Sequence, residues 1–231
     1  SKLFSLDLSN CSLTGQAYDL LVTTTTTTTT TDQVTTAVSF PEIEILALSS
    51  NDITGTMPTL LCSASFLKIL DLSNNALHGD LPNCLWELPS LLLMDLSSNS
   101  FNSVGVAPSS SSSSPTLWSL HLANNHFEGN LPLITRNCYE LITLDLGGNG
   151  FTGEIPGWIA YSMPQLNSFA FVEHAQWKYT PLPQQIFQFT QLQLLDLSHN
   201  RLTGPIPVDF ANFTGMAQQQ EHGEEIVYLF A

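Results

Sequence analysis

The chain has 231 residues, 43% of them apolar and 11% charged, and its 20 Asp and Glu against 5 Lys and Arg give a formal net charge of −15. That length is ample for a core, while the scarcity of cations excludes nucleic acid as a partner, since affinity for polyphosphate comes from Lys and Arg. No stretch approaches the roughly 18 to 20 uninterrupted apolar residues that span a bilayer; the nearest, 88–96, has Pro89, Ser90 and Asp95 inside it.

From the N-terminus onward one spacing recurs, LxxLxLxxN. It runs Leu3-Leu6-Leu8-Cys11, Ile43-Leu46-Leu48-Asn51, Leu67-Leu70-Leu72-Asn75 and Leu91-Met94-Leu96-Asn99. It continues as Leu117-Leu120-Leu122-Asn125, Leu141-Leu144-Leu146-Asn149, Leu166-Phe169-Phe171-His174 and Leu192-Leu195-Leu197-Asn200. The eight copies are 24 to 26 residues apart except for a first step of 40. Most continue into xLxGxΦP, with Φ apolar, as in Ile53-Gly55-Met57-Pro58 and Leu77-Gly79-Leu81-Pro82. Self-similarity at this period is the mark of a solenoid.

Each position has a physical reason. The two leucines of LxL share one face of a short strand, and the leucine three residues earlier closes the coil behind it. One coil cannot bury that face alone, so coils stack and their strands pair about 4.8 Å apart. The Asn after the strand turns inward, where its amide bonds backbone groups of its own and the neighbouring coil. Gly permits φ > 0 at the turn, and Pro removes an N–H where regular pairing ends.

The pattern divides the chain into a partial first repeat at 1–15, a Thr-rich insertion or loop at 16–42, seven repeats over 43–215 and a non-repeat tail at 216–231. The insertion holds the homopolymer Thr23 to Thr31. In the fourth copy Val104-Gly-Val-Ala-Pro108 and Ser109 to Ser114 replace the usual tail, and in the seventh His174 stands for Asn.

Written out as LxxLxLxxNxLxGxIP, the pattern resembles the plant-specific, extracellular class of leucine-rich repeats over about 1–15 and 43–215. The segments LPNCLWEL (81–88), NCYELITLDLGGNGFTGEIPGWI (137–159) and LQLLDLSHNRLTGPIPVDFANFTGM (192–216) are similar to the last full repeats of plant receptor-like proteins. The resemblance implies a solenoid with a parallel concave sheet, a 3-10 or irregular convex side and little α-helix. It implies a non-catalytic recognition module of a receptor-like protein or receptor-kinase ectodomain, in defence or development, with a peptide, protein or glycan ligand, a co-receptor and no cofactor. The expected location is the outer face of the plasma membrane or the cell wall, with membrane attachment only through segments outside this chain. Family capping repeats carry paired cysteines that neither end displays, so the chain reads as an internal piece of a larger ectodomain or the product of a degraded gene. The alternatives are a secreted protein like the polygalacturonase inhibitors, and an ice-binding solenoid, which would want a repeated Thr or Asn array.

The binding residues are sought on the concave strands, where outward positions alternate with the core. The central column is Asp7, Ala47, Asp71, Asp95, His121, Asp145, Ala170 and Asp196, beside aliphatics such as Ile69 and Leu93. Ile69, Asp71, Leu93, Asp95, His121 and Asp145 form the candidate ligand strip, half apolar and half acidic, with His121 able to gain charge in mild acid. The competing reading is that LDLS is simply what this repeat carries. Trp177 and Tyr179 are a secondary contact candidate, while Trp86, Trp118 and Trp158 read as packing residues at the coil edges. Cys62 and Cys84 fall nearly in line on adjacent coils and are the disulfide candidate; Cys11 and Cys138 read as buried thiols. Asn10 and Asn212 head the sequons Asn-Cys-Ser and Asn-Phe-Thr. No GxSxG elbow, phosphate loop, zinc spacing or HExxH appears, and a ladder of similar acids lacks a differentiated acid and base, so neither a metal nor an enzyme is expected.

Overall fold

The computed structural model describes residues 3–22, 42–105, 116–152, 154–171 and 188–200. Every LxL segment forms a three-residue strand: Ser5–Asp7, Ile45–Ala47, Ile69–Asp71, Leu93–Asp95, Ser119–His121, Thr143–Asp145, Ser168–Ala170 and Leu194–Asp196. They pair in sequence order into one eight-stranded parallel sheet, in register, so each column named above is a row of Cα partners. The central leucines Leu46, Leu70, Leu120 and Leu144 are fully buried beneath it.

The Asn ladder accounts for the inward polar groups. Asn125 Nδ2 donates to Leu96 O of the coil before and to Leu122 O of its own, at 3.0 and 3.2 Å, while its Oδ1 accepts from Phe101 N at 3.0 Å. Asn51, Asn75, Asn99 and Asn149 repeat this arrangement. The turn before each ladder position is left-handed: Ser50, Asn74, Ser98 and Asn124 lie at φ of 52–55°, which short polar residues tolerate, and Gly148 takes the same place at 62°.

After the ladder, the tails form a second set of parallel strands. Thr14–Gln16, Asp52–Thr56, Ala76–Asp80 and Ser100–Ser103 make a four-stranded sheet, and Glu128–Gly129 pairs with Gly150–Phe151. The irregular convex side expected from sequence is thus partly regular, because xLxGx alternates with period two and buries Ile53, Leu77, Phe101, Phe127 and Phe151. Phe101, Phe127, Phe151 and Phe171 follow one another at centroid distances of 6.4, 6.1 and 6.0 Å. Pro58, Pro82 and Pro132 then start the 3-10 segments Thr59–Ser63, Asn83–Glu87 and Leu133–Asn137.

The first coil differs from the sequence expectation. Residues 16–22, assigned above to the insertion, complete that coil: Gln16 ends a strand and Ala17–Val22 is an α-helix, with Ala17 buried in the position of Met57 and Leu81. Tyr18 stands where later coils carry Pro, but a first-turn N–H makes no bond within a helix, and the sixth coil forms the short helix Ile159–Ser162 after Pro156 all the same. The remainder of the Thr-rich segment, 23–41, and the tail 216–231 lie outside the described residues.

Candidate functional site

The concave strip is built by the LDLS motif. Asp95 Oδ1 accepts from Ser97 N and Oγ at 2.9 and 2.6 Å, and Asp71 does the same with Ser73 at 3.0 and 2.7 Å. Asp7 and Asp196 accept from Ser9 N and Ser198 N, at 3.0 and 2.9 Å. These carboxylates therefore lock the turn that follows each strand, a role legible from an Asp two residues before a Ser but assigned above only to the surface.

In the sixth coil Gly147 replaces the serine, so Asp145 keeps the backbone bond at 3.0 Å and loses the hydroxyl. Burial pushes the Asp145 carboxyl above the ordinary carboxylate range, against the lowering effects of Gly147 N–H and His121; Asp95 and Asp196 add repulsion. Asp7 and Asp196 are held below that range, chiefly by the backbone N–H of Ser9 and of Ser198. His121 sits in register between Asp95 and Asp145, its Nε2 2.8 Å from Ser119 Oγ.

The strip differs from its sequence description in one member. Ile69, Leu93, Asp95, His121 and Asp145 are half-buried, but Asp71 is only 2% exposed. Its carboxylate is committed to Ser73, and it offers a ligand almost no surface. Asp145 likewise does not project freely into solvent.

Two further expectations are corrected. Trp86 is buried, its Nε1 donating to Val104 O at 3.0 Å, and Trp158 packs against the core, but Trp118 is 51% exposed. Cys138 is buried, whereas Cys11 is exposed, because no described residue packs on the outer side of the first coil's ladder position. Cys62 and Cys84 are joined in a disulfide with Cα atoms 5.5 Å apart. Asn10 is exposed; Asn212, Trp177 and Tyr179 lie outside the described residues. Among the described residues no cluster of three His, Cys, Asp or Glu is placed to hold a metal, and no helix is long and apolar enough to cross a membrane.

Similar architecture occurs in solved structures. The structure of PEPR1–AtPEP1 matches 93% of this chain and 31% of its own, at 26% identity and a TM-score of 0.67. The Arabidopsis receptor kinase HAESA, solved with the peptide hormone IDA and the co-receptor SERK1, matches 74% of this chain and 32% of its own, at 27% identity and a TM-score of 0.59. A plant ice-binding protein matches 71% of this chain and 59% of its own, at 26% identity and a TM-score of 0.52. The chain spans about a third of the length of the first two. No curated protein matches significantly. Family models described as leucine-rich repeat match residues 41–101 and, separately, 2–22, 140–162 and 191–213, together more than half of the sequence. With these matches, the continuous concave sheet and the Asn ladder, the chain belongs to the leucine-rich-repeat family, in the form found in plant receptor ectodomains.

Proposed function

We propose that this chain is a non-catalytic peptide-recognition module of a plant cell-surface receptor, and that its ligand lies across the concave strands of coils three to six. The observation that carries this reading is the pairing, on one rigid sheet, of a half-buried apolar column with an acidic one: Ile69 and Leu93 beside Asp95, His121 and Asp145. Apolar contacts supply affinity, and the acids set orientation and association rate for a basic peptide. Fold alone does not choose the function, since a plant ice-binding protein shares it. The concave columns favour recognition: they mix Ala, Asp, His, Ile, Leu, Ser and the single Thr143 rather than repeat Thr or Asn.

HAESA binds a peptide hormone and a co-receptor in its structure, and we extend both partner classes to this chain, with signalling in defence or development as the outcome. A protein or glycan ligand is the wider class within which peptide is preferred. The Cys62–Cys84 disulfide supports an oxidising, extracellular location at the plasma membrane or cell wall, where exposed Asn10 is a glycan acceptor. Asn212 is the second acceptor, and Trp177 with Tyr179 a secondary contact.

The test is selection of random twelve-residue peptides on the folded chain. Enriched peptides are expected to be basic, and Asp95→Asn with Asp145→Asn to slow their association several-fold at low salt while weakening its salt dependence. Enrichment of acidic peptides, or of none, would overturn the reading.

A further inference from the structure

We infer that the exposed indole of Trp118, with Leu92 and Ile142 on either side, is the apolar anchor site for a basic peptide laid across coils four to six. This rests on the peptide-recognition reading above and names the feature of the ligand that the site selects.

These three residues occupy the position just before each concave strand. In the second and third coils that position holds Glu44 and Lys68, paired with each other at 2.7 Å, and in the seventh and eighth it holds Asn167 and Gln193. The first coil holds exposed Phe4 there, but no acid-lined coil adjoins it; between the polar flanks the row is apolar over three successive coils, the same coils where Asp95, His121 and Asp145 line the sheet. Trp118 is a large aromatic left half in solvent, at 51% exposure, while Leu92 and Ile142 are half-buried beside it.

The backbone beneath them is fixed. Trp118 N donates to Leu92 O and Ile142 N to Trp118 O, each at 2.8 Å. An anchor already held in place loses little backbone freedom on binding, and Trp is among the residues that dominate binding energy where it can be desolvated. Between this row and the acid column, coils five and six carry only the short side chains of Ser119 and Thr143.

Charge identifies the occupant. The eight concave strands contain no Lys or Arg, and the neighbouring Lys68 is engaged by Glu44, so the field beside Trp118 is set by carboxylates. A complementary peptide places an aromatic or branched aliphatic side chain against the indole row and Lys or Arg toward the acids, and Arg gains further from the ring face. Asp95 and Asp145 lie two strand spacings apart, about 10 Å, which is about the rise of three residues in an extended polyproline-like chain. The recognised motif therefore carries two cations three residues apart with an apolar side chain within that span.

The peptides enriched in the selection above provide the probe. They are expected to show this spacing, Trp118→Ala is expected to weaken them about tenfold by calorimetry, and Trp118→Phe to restore most of the loss. Unchanged melting of both variants separates the effect from misfolding, and the Phe variant keeps the comparison valid if the Ala variant is perturbed. Enriched basic peptides that respond to Asp95→Asn and Asp145→Asn but not to Trp118→Ala would overturn the anchor and leave the concave reading standing. No enrichment at all would overturn both.

Discussion

The concave sheet and the outer strands are made from the two halves of the same repeat, yet among the described residues only the first runs unbroken through all eight coils. The described outer strands form one group of four and one of two, parted between Ser100–Ser103 and Glu128–Gly129. There His126 N still donates to Phe101 O at 2.9 Å, but the strands then separate over a groove of about 380 Å³ lined by Asn102, Val104, Phe127, Leu131 and Leu133. The fourth coil has lost its GxΦP tail, and that loss falls at this break. The concave strands need only LxL, which every copy keeps in apolar form, so they tolerate an altered tail. The concave face is thus buffered against changes on the outer side, with the Asn ladder as the tie between them.

That tie is open to mutation at single residues. Asn99 and Asn125 hold matching bonds, each to two leucine carbonyls and one backbone N–H across the coil boundary. Replacing either by Ala orphans buried backbone groups at about 1–3 kcal/mol apiece. Asn125 bridges the broken boundary and Asn99 an intact one, so Asn125→Ala is expected to cost about 4 kcal/mol and Asn99→Ala about 3 kcal/mol in urea unfolding. Equal losses would mean that the outer strands add nothing to coil cohesion.

Next in size is the disulfide. It closes a sequence separation of 22 residues between the 3-10 segments of coils two and three, where the outer strands are paired. Converting both cysteines to Ser is expected to cost about 3 kcal/mol through the unfolded state. It should leave hydrogen exchange at 101–105 and 127–129 unaltered, because the staple does not bridge the break. Thiol titration provides the control: one thiol, Cys11, reacts in the native protein, and Cys138, whose thiol burial pushes up to about 12, reacts only on unfolding. Four reactive thiols after unfolding without reductant would contradict the pairing.

The sequence made the solenoid legible because LxxLxLxxN is a statement about which atoms meet when coils stack. Leu46, Leu70, Leu120 and Leu144 are buried where the spacing puts them, and Asn51 to Asn149 bond across coils as the motif requires. The outer strands were present in the alternation of Asp52-Ile53-Thr54 and its equivalents, masked by the Gly and Pro beside them. What could not be read was the degree of exposure within a column. Asp71 and Asp95 occupy identical repeat positions and bond to serine identically, yet Asp71, beside the small Ala47, is buried and Asp95, beside the larger His121, is half-exposed, so exposure follows packing between coils and not repeat position. Trp118 escaped for the same reason, as its surroundings are chosen by residues 24 to 26 positions distant in sequence. The first-coil helix was hidden by the Thr tract that follows it at once.

Asp145 differs from its column neighbours in how burial acts on its carboxyl. Its carboxyl is raised by burial above the ordinary 3.8, so the native state holds a proton more readily than the unfolded chain. As pH rises from about that value through the raised native one, stability falls, and above it the penalty is complete and constant. Asp7 and Asp196, lowered by their serine turns, behave oppositely: their contribution is present above the ordinary carboxylate range and is lost as pH falls through their depressed values. Asp145→Asn retains an oxygen for Gly147 N–H and removes the buried charge. It is therefore expected to stabilise the fold by up to about 1 kcal/mol at neutral pH and by little in acid, whereas Asp196→Asn should destabilise it only at the higher pH. Melting temperatures of both variants between pH 3 and pH 8 test the pair of opposite slopes. If Asp145→Asn instead loses stability at neutral pH, attraction to His121 outweighs burial, and the centre of the concave strip is an ion-paired brace rather than a carboxylate left uncompensated for a basic ligand.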